Sequence, residues 1–588
     1  MKIQVILASA LSAWTIAAPP SRDYELMFED NFDGDQLNEA AWHYREGPRT
    51  SGTWINGLNR KENVFLKDGN LVIRCKVEKI NGKTENTGGG VISRANFGYG
   101  YYETRSKPFM AGKGVHSAFW QAGSYQDGKP GGNNNIFEID SYEIDSGHFV
   151  GANNLYVHLA PPGMSELPWP YRNGLPFKLD KDGWWIDGYE YTPEGVTFYE
   201  HGKAVGQAEF KDLAAQQMVW LTALNGVGKV DVGKQPGDTL FDYFRYYAKD
   251  FPGHNLLPNG NFEYNNDKNP ESPISWRQEG TAGAFIVVKG GAARDAYYLR
   301  IGNGKDYDVR LFQTLEYIRN GSYQMTAKVR NPGAKVKASL QANGRTVDIP
   351  AADKWTMIQI NDVPVTRKTA DIELKAAGDG TNALCIDDIQ FKKPVPPGAP
   401  APPQRPFTLV RDPIWQIAMS KPIDFTGDAS FFFISRNVGF GDAMTLKVEL
   451  TPKLRANMCP IMRTPPKGKD GWAVVLGDKG EIAFRIGSKA DFTEVVATNA
   501  YQANRTIKLK CVYQNGSASI FLGGRKVAEK FGIPQGVKDA TQAGTLGATL
   551  SGFDAVGEVI GEAKTPKGKG RNYVGSVFDL QIYNRVAE

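Results

Sequence analysis

The sequence has few cysteines and histidines, the residues that form disulfide bonds in small folds or bind metal ions. Its 588 residues include 4 Cys and 6 His. Four cysteines spread over this length do not form a disulfide framework, and no Cys/His spacing is typical of zinc. Cys459 and Cys511 fall in the same predicted unit and could pair there. The chain is therefore expected to fold on its apolar residues, which make up 41% of it.

A strong charge of either sign is also missing. The 69 basic and 64 acidic residues leave a net charge of +5. This balance gives no reason to expect a nucleic-acid or membrane-surface partner. We expect a monomer of three or four domains at ordinary domain sizes.

Long apolar runs are absent after the start of the chain. Residues 1–18 carry Lys2, an apolar stretch and a small-residue ending before Pro19, which is typical of a secretory signal peptide. The alternative is a buried first strand. No other stretch is long enough to span a membrane, so we expect a secreted, extracellular or periplasmic protein.

Short strand-like runs separated by Gly, Asn and Asp recur through the first part of the chain. No long segment with helical periodicity competes with them. The predicted strands include 71–77, 90–93, 100–107 and 116–121. The fold class predicted is all-β, a sandwich of antiparallel sheets.

One strand concentrates acidic residues in an apolar setting. Glu138, Asp140 and Glu143 lie in the run Ile-Phe-Glu-Ile-Asp-Ser-Tyr-Glu. Crowded carboxylates repel and are costly to bury, which suggests a chemical role such as glycosidic-bond hydrolysis by a carboxylate pair. Glu138 and Asp140 share a face in a regular strand. Glu143 joins them only if a β-bulge near Ser141 or Tyr142 adds one residue; the alternative is an acidic exposed strand.

The motif Glu-Ile-Asp-x-x-Glu, following Ser117-Ala118-Phe119-Trp120, resembles the signature of glycoside hydrolase family 16. The resemblance covers residues 24–250 and includes the runs 62–64, 68–71 and 98–103. It implies a β-jelly-roll sandwich with a glycan cleft on its concave face. It also implies Glu138 as nucleophile, Glu143 as general acid/base and Asp140 as the residue that tunes the nucleophile.

Several further residues are candidate substrate contacts. Trp54, in a Gly- and Asn-rich loop, is either a sugar-stacking platform or a loop anchor. Trp120 resembles the cleft tryptophan of the family, with core packing as the alternative. His158 resembles the cleft histidine, although a lone histidine is more often structural. Trp169 and Tyr171 lie in the predicted loop 161–174, which we expect to border the cleft.

The chain also departs from the family's laminarin-degrading members. It reads Trp-Ile-Asn-Gly-Leu-Asn-Arg-Lys at 54–61 and Gly-Gly-Val at 89–91, where those members usually carry Asn-Asn-Glu-Leu-Gln-Tyr-type and Ser-Gly-Arg segments. The departures favour galactans such as agar, porphyran or carrageenan over β-1,3/1,4-glucan as the substrate.

Two more β-sandwich units are predicted downstream of a catalytic unit at 19–250. Residues 251–393 resemble a jelly-roll carbohydrate-binding module, and 407–588 resemble a laminin-G or concanavalin-A-like domain. Between them, 394–406 is proline-rich, which favours an extended spacer. The last unit has a sugar-binding or a plain structural role.

No cofactor is expected for catalysis, and a structural calcium ion is the one metal predicted. Asp242 matches a family carboxylate that helps hold calcium. The resemblance of the second unit to carbohydrate-binding modules implies that Glu263 and Asp387 or Asp388 meet at another calcium, with a salt-bridged sheet end as the alternative. Calcium takes six to eight oxygen ligands.

The function predicted from the sequence is that of a retaining endo-glycoside hydrolase acting on a β-linked polysaccharide. Two alternatives share the scaffold: a non-catalytic glycan-recognition protein, and a transglycosylase that passes the same covalent intermediate to a sugar acceptor.

Overall fold

The computed structural model is an all-β protein in which strands make up 60% of the chain and helices 1%. It describes residues 19–51, 55–126, 128–130, 136–146, 150–157, 170–173, 179–209, 213–265, 269–333, 336–399, 410–412, 415–417, 423–426, 432–434, 443–463, 471–488, 491–533, 544–546 and 571–583. The predicted signal peptide lies outside them. No helix in the described part is long and apolar enough to cross a membrane.

The first unit is a sandwich of two antiparallel sheets. Its strands are β1 Glu25–Asp30, β2 Trp42–Tyr44, β3 Gly47–Ser51, β4 Ile55–Asn59, β5 Val64–Lys67, β6 Asn70–Ile80, β7 Lys83–Ser93, β8 Gly100–Lys107, β9 Val115–Ala122, β10 Tyr125–Gln126, β11 Lys129–Pro130, β12 Phe137–Asp145, β13 Val150–Val157, β14 Pro170–Asn173, β15 Trp185–Thr192, β16 Gly195–Glu200, β17 Lys203–Glu209, β18 Val219–Asn225 and β19 Gly237–Ala248. Two short 3₁₀ turns lie at Lys61–Asn63 and Val232–Lys234. The predicted strands at 71–77, 90–93, 100–107 and 116–121 fall within β6, β7, β8 and β9 and are confirmed.

The inner sheet of this unit runs β14–β13–β12–β9–β18–β7–β2. The outer sheet runs β6–β19–β8–β15–β16–β17, with β5 beside β6 and β1 beside β19. The two sheets bury an aromatic-rich core between them, including Phe119, Tyr142, Tyr189 and Phe244. One face of each sheet is therefore committed to the core, and the other face of the inner sheet is available for a site.

The second unit is a sandwich with its own core. Its strands are β20 Arg277–Gly280, β21 Phe285–Lys289, β22 Tyr297–Ile301, β23 Tyr307–Glu316, β24 Gly321–Asn331, β25 Lys337–Ala342, β26 Arg345–Asp348, β27 Ala352–Val365, β28 Thr369–Gly378 and β29 Leu384–Lys392. They form two 5-stranded antiparallel sheets, β20–β23–β28–β25–β26 and β21–β22–β29–β24–β27.

The third unit is again built from two packed sheets around a separate core. Its described strands are β30 Val410–Asp412, β31 Trp415–Ile417, β32 Ile423–Thr426, β33 Phe432–Ile434, β34 Ala443–Pro452, β35 Met458–Arg463, β36 Gly471–Leu476, β37 Ile482–Ser488, β38 Asp491–Ala497, β39 Ile507–Gln514, β40 Ser517–Leu522, β41 Arg525–Lys530, β42 Gly544–Leu546, β43 Arg571–Asn572 and β44 Val574–Tyr583. Its strand β30 pairs with β17 and β31 pairs with β14 of the first unit.

The cysteines remain thiols. Cys75, Cys385, Cys459 and Cys511 are all buried and free. Cys511 belongs to the main core of the third unit, whereas Cys459 packs in a small cluster with Ala473 and Val475. The suggested pairing of Cys459 with Cys511 is therefore wrong, because the two side chains face different packing layers.

The all-β sandwich prediction is confirmed. The domain boundaries at 250/251 and 393/394 and the spacer at 394–406 stay predictions, as does the assignment of the two later units to carbohydrate-binding and laminin-G-like families.

Candidate active site

The acidic strand β12 carries the bulge that its sequence requires. Against β9, Asp140 lies opposite Trp120 and Tyr142 lies opposite Phe119, so Ser141 is the additional residue. The pairing with β13 shifts in the same interval, between Asp140 and Glu143. A bulge adds one residue to one strand, so the alternation of faces changes phase at Ser141.

The change of phase puts the acidic residues on one face. Phe137, Ile139, Tyr142 and Ile144 all pack in the core. Glu138, Asp140, Glu143 and Asp145 occupy the complementary positions of β12. The bulge predicted from the sequence is thus present, and all three predicted carboxylates lie on the inner sheet's open face.

Ser141 and Tyr142 anchor the bulge through the core. The Ser141 hydroxyl donates a hydrogen bond to Asp187 of the outer sheet. The Tyr142 hydroxyl donates to Ser106 Oγ over 3.0 Å, and its ring lies 4.9 Å from that of Trp185. These contacts tie the bulge to β8 and β15, so its position depends on the packing of both sheets.

His116 bridges two of the carboxylates. It lies on β9 opposite Asp145, with Ala118 opposite Glu143. Its Nδ1 is 2.8 Å from Asp145 Oδ1 and its Nε2 is 3.1 Å from Glu143 Oε1. Burial alone would lower the pKa of His116, but the hydrogen bonds and charges of Asp145 and Glu143 outweigh it and raise the pKa to about 10. The ring is therefore a cation at neutral pH and donates through both nitrogens.

Asp140 lies between the two glutamates and is the most buried of the three, at 1% exposure. The Glu143 side chain retains 28% exposure. Glu138 and Glu143 are partly exposed and can contact a ligand. The buried Asp140 between them can act only through its two neighbours.

Two tryptophans stack face to face beside the carboxylates. Trp120 and Trp220, on neighbouring strands, stack with ring centroids 4.5 Å apart and planes at 19°. Trp120 Nε1 donates to Thr222 Oγ1 at 3.3 Å, and Trp220 Nε1 donates to the Ala122 carbonyl at 2.9 Å. Trp120 lies opposite Asp140 of β12, and its role as a substrate contact stays a prediction. Trp220 is a neighbour that the sequence reasoning did not single out.

Next to the tryptophans lies an open cleft of about 610 Å³. It is lined by His43, Tyr44, Arg45, Glu46, Pro48, Arg49, Asn59, Ile92, Pro130 and Trp220. This volume is in the range of a small-ligand site, and its walls are more polar than a hydrophobic pocket.

The other predicted substrate contacts lie outside the described residues or in a different element from the one expected. Trp54, His158 and Trp169 lie outside the described residues. Tyr171 was expected in a loop, but residues 170–173 form β14 and pair with β13. That part of the loop prediction is wrong, because Ala152–Asn154 of β13 offers an edge for pairing; the Tyr171 side chain is not described.

The predicted calcium ligands are engaged by protein donors. Asp242 Oδ2 accepts a hydrogen bond from Arg105 Nη1 at 2.7 Å. Glu263 Oε1 accepts from the backbone N–H groups of Ala296 and Tyr297, and Asp388 pairs with Arg294 at 3.1 Å.

The neighbouring Asp387 accepts the backbone N–H groups of Ala293 and Arg294, both at 2.8 Å, and burial raises its pKa to about 7. No group of three or more His, Cys, Asp or Glu side chains in the described part of the chain could hold a metal ion. These contacts match the salt-bridged alternative, and calcium binding stays a prediction.

Two curated proteins are similar to this chain in sequence. The chain is 27% identical over 250 residues to a beta-glucanase of Acetivibrio thermocellus, covering 42% of this chain and 68% of that protein. It is 35% identical over 106 residues to beta-porphyranase B of Phocaeicola plebeius, covering 16% of this chain and 31% of that protein.

The match to the beta-glucanase extends over about two fifths of this chain. No protein-family model matches the chain. Among solved structures, the laminarinase catalytic domain of Thermotoga maritima aligns with a TM-score of 0.31 at 22% identity, covering 39% of this chain and 99% of that one.

The carboxylates of β12 were predicted from their motif, but His116 was not. The sequence reasoning assigned the cleft histidine to His158. A signal was present, since His116 stands at the start of the strand that carries Trp120. Only the antiparallel register, which puts His116 opposite Asp145, shows that the two meet.

Proposed function

We propose that the first unit is a retaining endo-hydrolase of a β-linked polysaccharide. The observation that carries the proposal is the bulged strand β12, which presents Glu138, Asp140 and Glu143 on one face beside the stacked Trp120 and Trp220. Paired carboxylates perform glycoside hydrolysis, and flat aromatic faces suit sugar rings.

In the proposed mechanism, Glu138 attacks the anomeric carbon and forms a glycosyl-enzyme while the bond to the leaving sugar breaks. Glu143 gives its proton to the leaving oxygen, then takes a proton from the incoming water, which releases the sugar and regenerates Glu138. Asp140 lies between them and orients the nucleophile. His116 holds the Glu143 carboxyl through its 3.1 Å contact.

The substrate class proposed is a β-linked galactan, with β-glucan as the alternative. Two observations support the galactan: the departures at 54–61 and 89–91, and the local 35% identity to a beta-porphyranase. The longer match to a beta-glucanase supports the alternative. We further propose an exported monomer whose two later units hold it near its polysaccharide and raise the effective substrate concentration.

The test is reducing-end release from laminarin, mixed-linkage glucan, agarose, porphyran and carrageenan. Wild type is compared with Glu138→Gln and Glu143→Gln, and with Glu85→Gln as a control near the start of β7. We expect one or two glycans to be cleaved, with losses of at least about 10²-fold in both site variants, since general acid–base groups contribute about 10²–10⁴. The control should retain activity.

The rival functions give different results in the same assay. Binding without release from any glycan would favour the glycan-recognition protein. Lengthened oligosaccharides among the products would indicate transglycosylation. Full activity in Glu138→Gln would show that the nucleophile has been assigned to the wrong residue.

A further inference from the structure

Two arginines line the cleft beside the tryptophans. Arg45 follows β2, and its backbone N–H donates to the Gly90 carbonyl of β7 over 2.8 Å. Gly90 has no side chain and lies opposite Thr222 of β18. The Arg45 guanidinium carbon lies 5.1 Å from the Trp220 ring centroid and 5.7 Å from that of Trp120.

Each of the two arginines has a buried N–H donor without a hydrogen-bond acceptor among the described residues. Arg45 Nη1 and Arg49 Nε are inaccessible to solvent and have no hydrogen-bond partner among the described residues. A buried donor without an acceptor costs free energy, and more when it is charged. Glu46, which lines the same cleft, is exposed.

Other arginines of the first unit are paired with carboxylates. Arg74 forms two hydrogen bonds of 2.8 Å with Asp238. Arg105 contacts Asp242 at 2.7 Å and Arg245 contacts Glu29 at 2.6 Å. Arg45 and Arg49 differ from these three because neither forms an ion pair with a carboxylate in the part of the chain that the structure describes.

The two cations also act on each other. Burial is the main cause that lowers the pKa of Arg45 to about 9; the charge of Arg49 lowers it further, and the charge of Glu138 opposes both. Two guanidinium groups that repel each other in a cleft are stabilised together by one anion placed between them. The proposed nucleophile therefore lies within electrostatic reach of Arg45.

We propose that Arg45 and Arg49 form a subsite for an anionic substituent, a sulfate ester or a uronate carboxylate, on a sugar that stacks on the Trp120–Trp220 pair. The planar guanidinium fork matches both anions, because each presents oxygens in the plane of two N–H groups. The inference rests on the proposed glycan-hydrolase function and narrows its substrate to a charged polysaccharide.

The cleft is large enough for this role. Its volume of about 610 Å³ exceeds what a single ion needs, and it continues from the tryptophan pair toward Asn59 of β4. The anion would bind at one end of the cleft while the sugar ring covers the tryptophans. The subsite would therefore recognise the substituent, and the scissile bond would lie at the carboxylates.

The experiment uses matched pairs of polysaccharides that differ only in charge. The first pair is porphyran and its desulfated form, and the second is a uronate-containing glycan and its carboxyl-reduced form. Hydrolysis is measured with wild type, and equilibrium binding by affinity electrophoresis with Glu138→Gln. Each is repeated with Arg49→Gln, Arg45→Lys and the control Arg74→Gln, which removes the same charge on the outer sheet.

We expect wild type to favour one charged form by about 10- to 100-fold in KM, the range for a hydrogen bond to a charged group. Arg49→Gln should abolish the preference and Arg74→Gln should keep it. Arg45→Lys keeps the charge and loses the fork, so it should weaken the preference while its melting temperature stays near that of wild type. The pair that shows the preference identifies sulfate or carboxylate as the ligand.

Equal treatment of charged and uncharged forms by wild type would overturn the subsite and leave the hydrolase proposal standing. The same conclusion follows if both arginine variants bind the charged form as tightly as wild type does. Charge-dependent binding without hydrolysis of any glycan would support the subsite and contradict the hydrolase proposal.

Discussion

At the scale of single residues, the site depends on pairs that come from different strands. His116 is the clearest case. Alone in the sequence it is an ordinary histidine in a strand, and a lone histidine is more often structural. In the structure it is clamped by Asp145 at 2.8 Å and Glu143 at 3.1 Å. Its role as a positioning residue follows from this register.

We predict that His116→Asn lowers kcat by about 10²-fold at most, the cost of a misplaced catalytic group. Because the pKa of His116 is raised to about 10, the loss of this cation beside Glu143 should also change the shape of the pH–activity profile. Pre-steady-state and pH-dependent rates on the cleaved glycan measure both. The control is His201→Asn, at an exposed turn whose φ of 46° suits asparagine.

The same pair stabilises the fold over a defined pH range. The pKa of His116 is raised from 6.5 to about 10, so the stabilisation is complete below pH 6.5 and is lost as the pH rises through 10. A purely structural role for His116 would lower the melting temperature of His116→Asn and leave the shape of its pH–activity profile unchanged.

Glu103 is a buried carboxyl group on the outer sheet, away from the cleft, and its pKa is also raised. It is fully buried and accepts hydrogen bonds from Tyr101 at 3.0 Å and Tyr243 at 2.8 Å. Burial outweighs these donors and raises its pKa from 4.5 to about 7. Because the folded state holds the proton more tightly, wild-type stability falls as the pH rises from 4.5 to 7.

We predict that Glu103→Gln removes this fall. Relative to wild type, the variant should gain about 3 kcal/mol between pH 4.5 and 8, at about 1.4 kcal/mol per pKa unit. Denaturant unfolding at several pH values measures the difference, with Glu85→Gln as the control. A difference that is constant with pH would show that Glu103 is ionised throughout.

At the scale of elements, the bulge in β12 decides which face the acid/base carboxyl occupies. A shift of one residue moves every later side chain to the other face. If Ser141 took a regular strand position and β12 had no bulge, Glu143 would point into the core and Tyr142 out of it. The sequence predicts that a bulge is needed, and the contacts of Ser141 and Tyr142 with the outer sheet fix where it lies.

We predict that deleting Ser141 abolishes activity. Tyr142 then follows Asp140 in a regular strand and Glu143 keeps its face, but the bend and twist that the bulge adds to β12 are lost, and with them the placement of Glu143 relative to Glu138. The matched variant Ser141→Ala keeps the residue count and should stay active, with a loss of stability of about 1–3 kcal/mol for the lost partner of Asp187. Glycan hydrolysis and thermal unfolding measure the two effects. Activity in the deletion variant would show that the bulge does not position Glu143.

At the scale of the whole molecule, the first two units are joined by a packed contact. Tyr317 lies 5.1 Å from Phe97 and 5.8 Å from Phe28, ring centroid to centroid, within the edge of the first core. Glu316 accepts the Asn96 backbone N–H at 2.7 Å, and Arg319 contacts Glu25 at 3.1 Å. This buried contact is expected to couple the unfolding of the two units.

We predict that Tyr317→Ala lowers the stability of the first unit by about 3 kcal/mol, near the lower end for aromatic truncation. It should also separate the two unfolding transitions. Arg319→Ala removes an exposed ion pair worth about 1 kcal/mol or less and serves as the control. Differential scanning calorimetry measures both, and one unchanged transition in Tyr317→Ala would argue against coupling through this contact.

What the sequence determined by itself is local. Alternating strands, the shared face of Glu138 and Asp140, and the requirement for one extra residue before Glu143 all follow from a period of two along one strand. The tertiary structure decided everything that joins distant strands: His116 with Glu143, Arg45 with the Trp120–Trp220 pair, and Tyr317 with Phe97. Those contacts depend on sheet order and register, which are set by how two whole sheets pack and by no single stretch of chain.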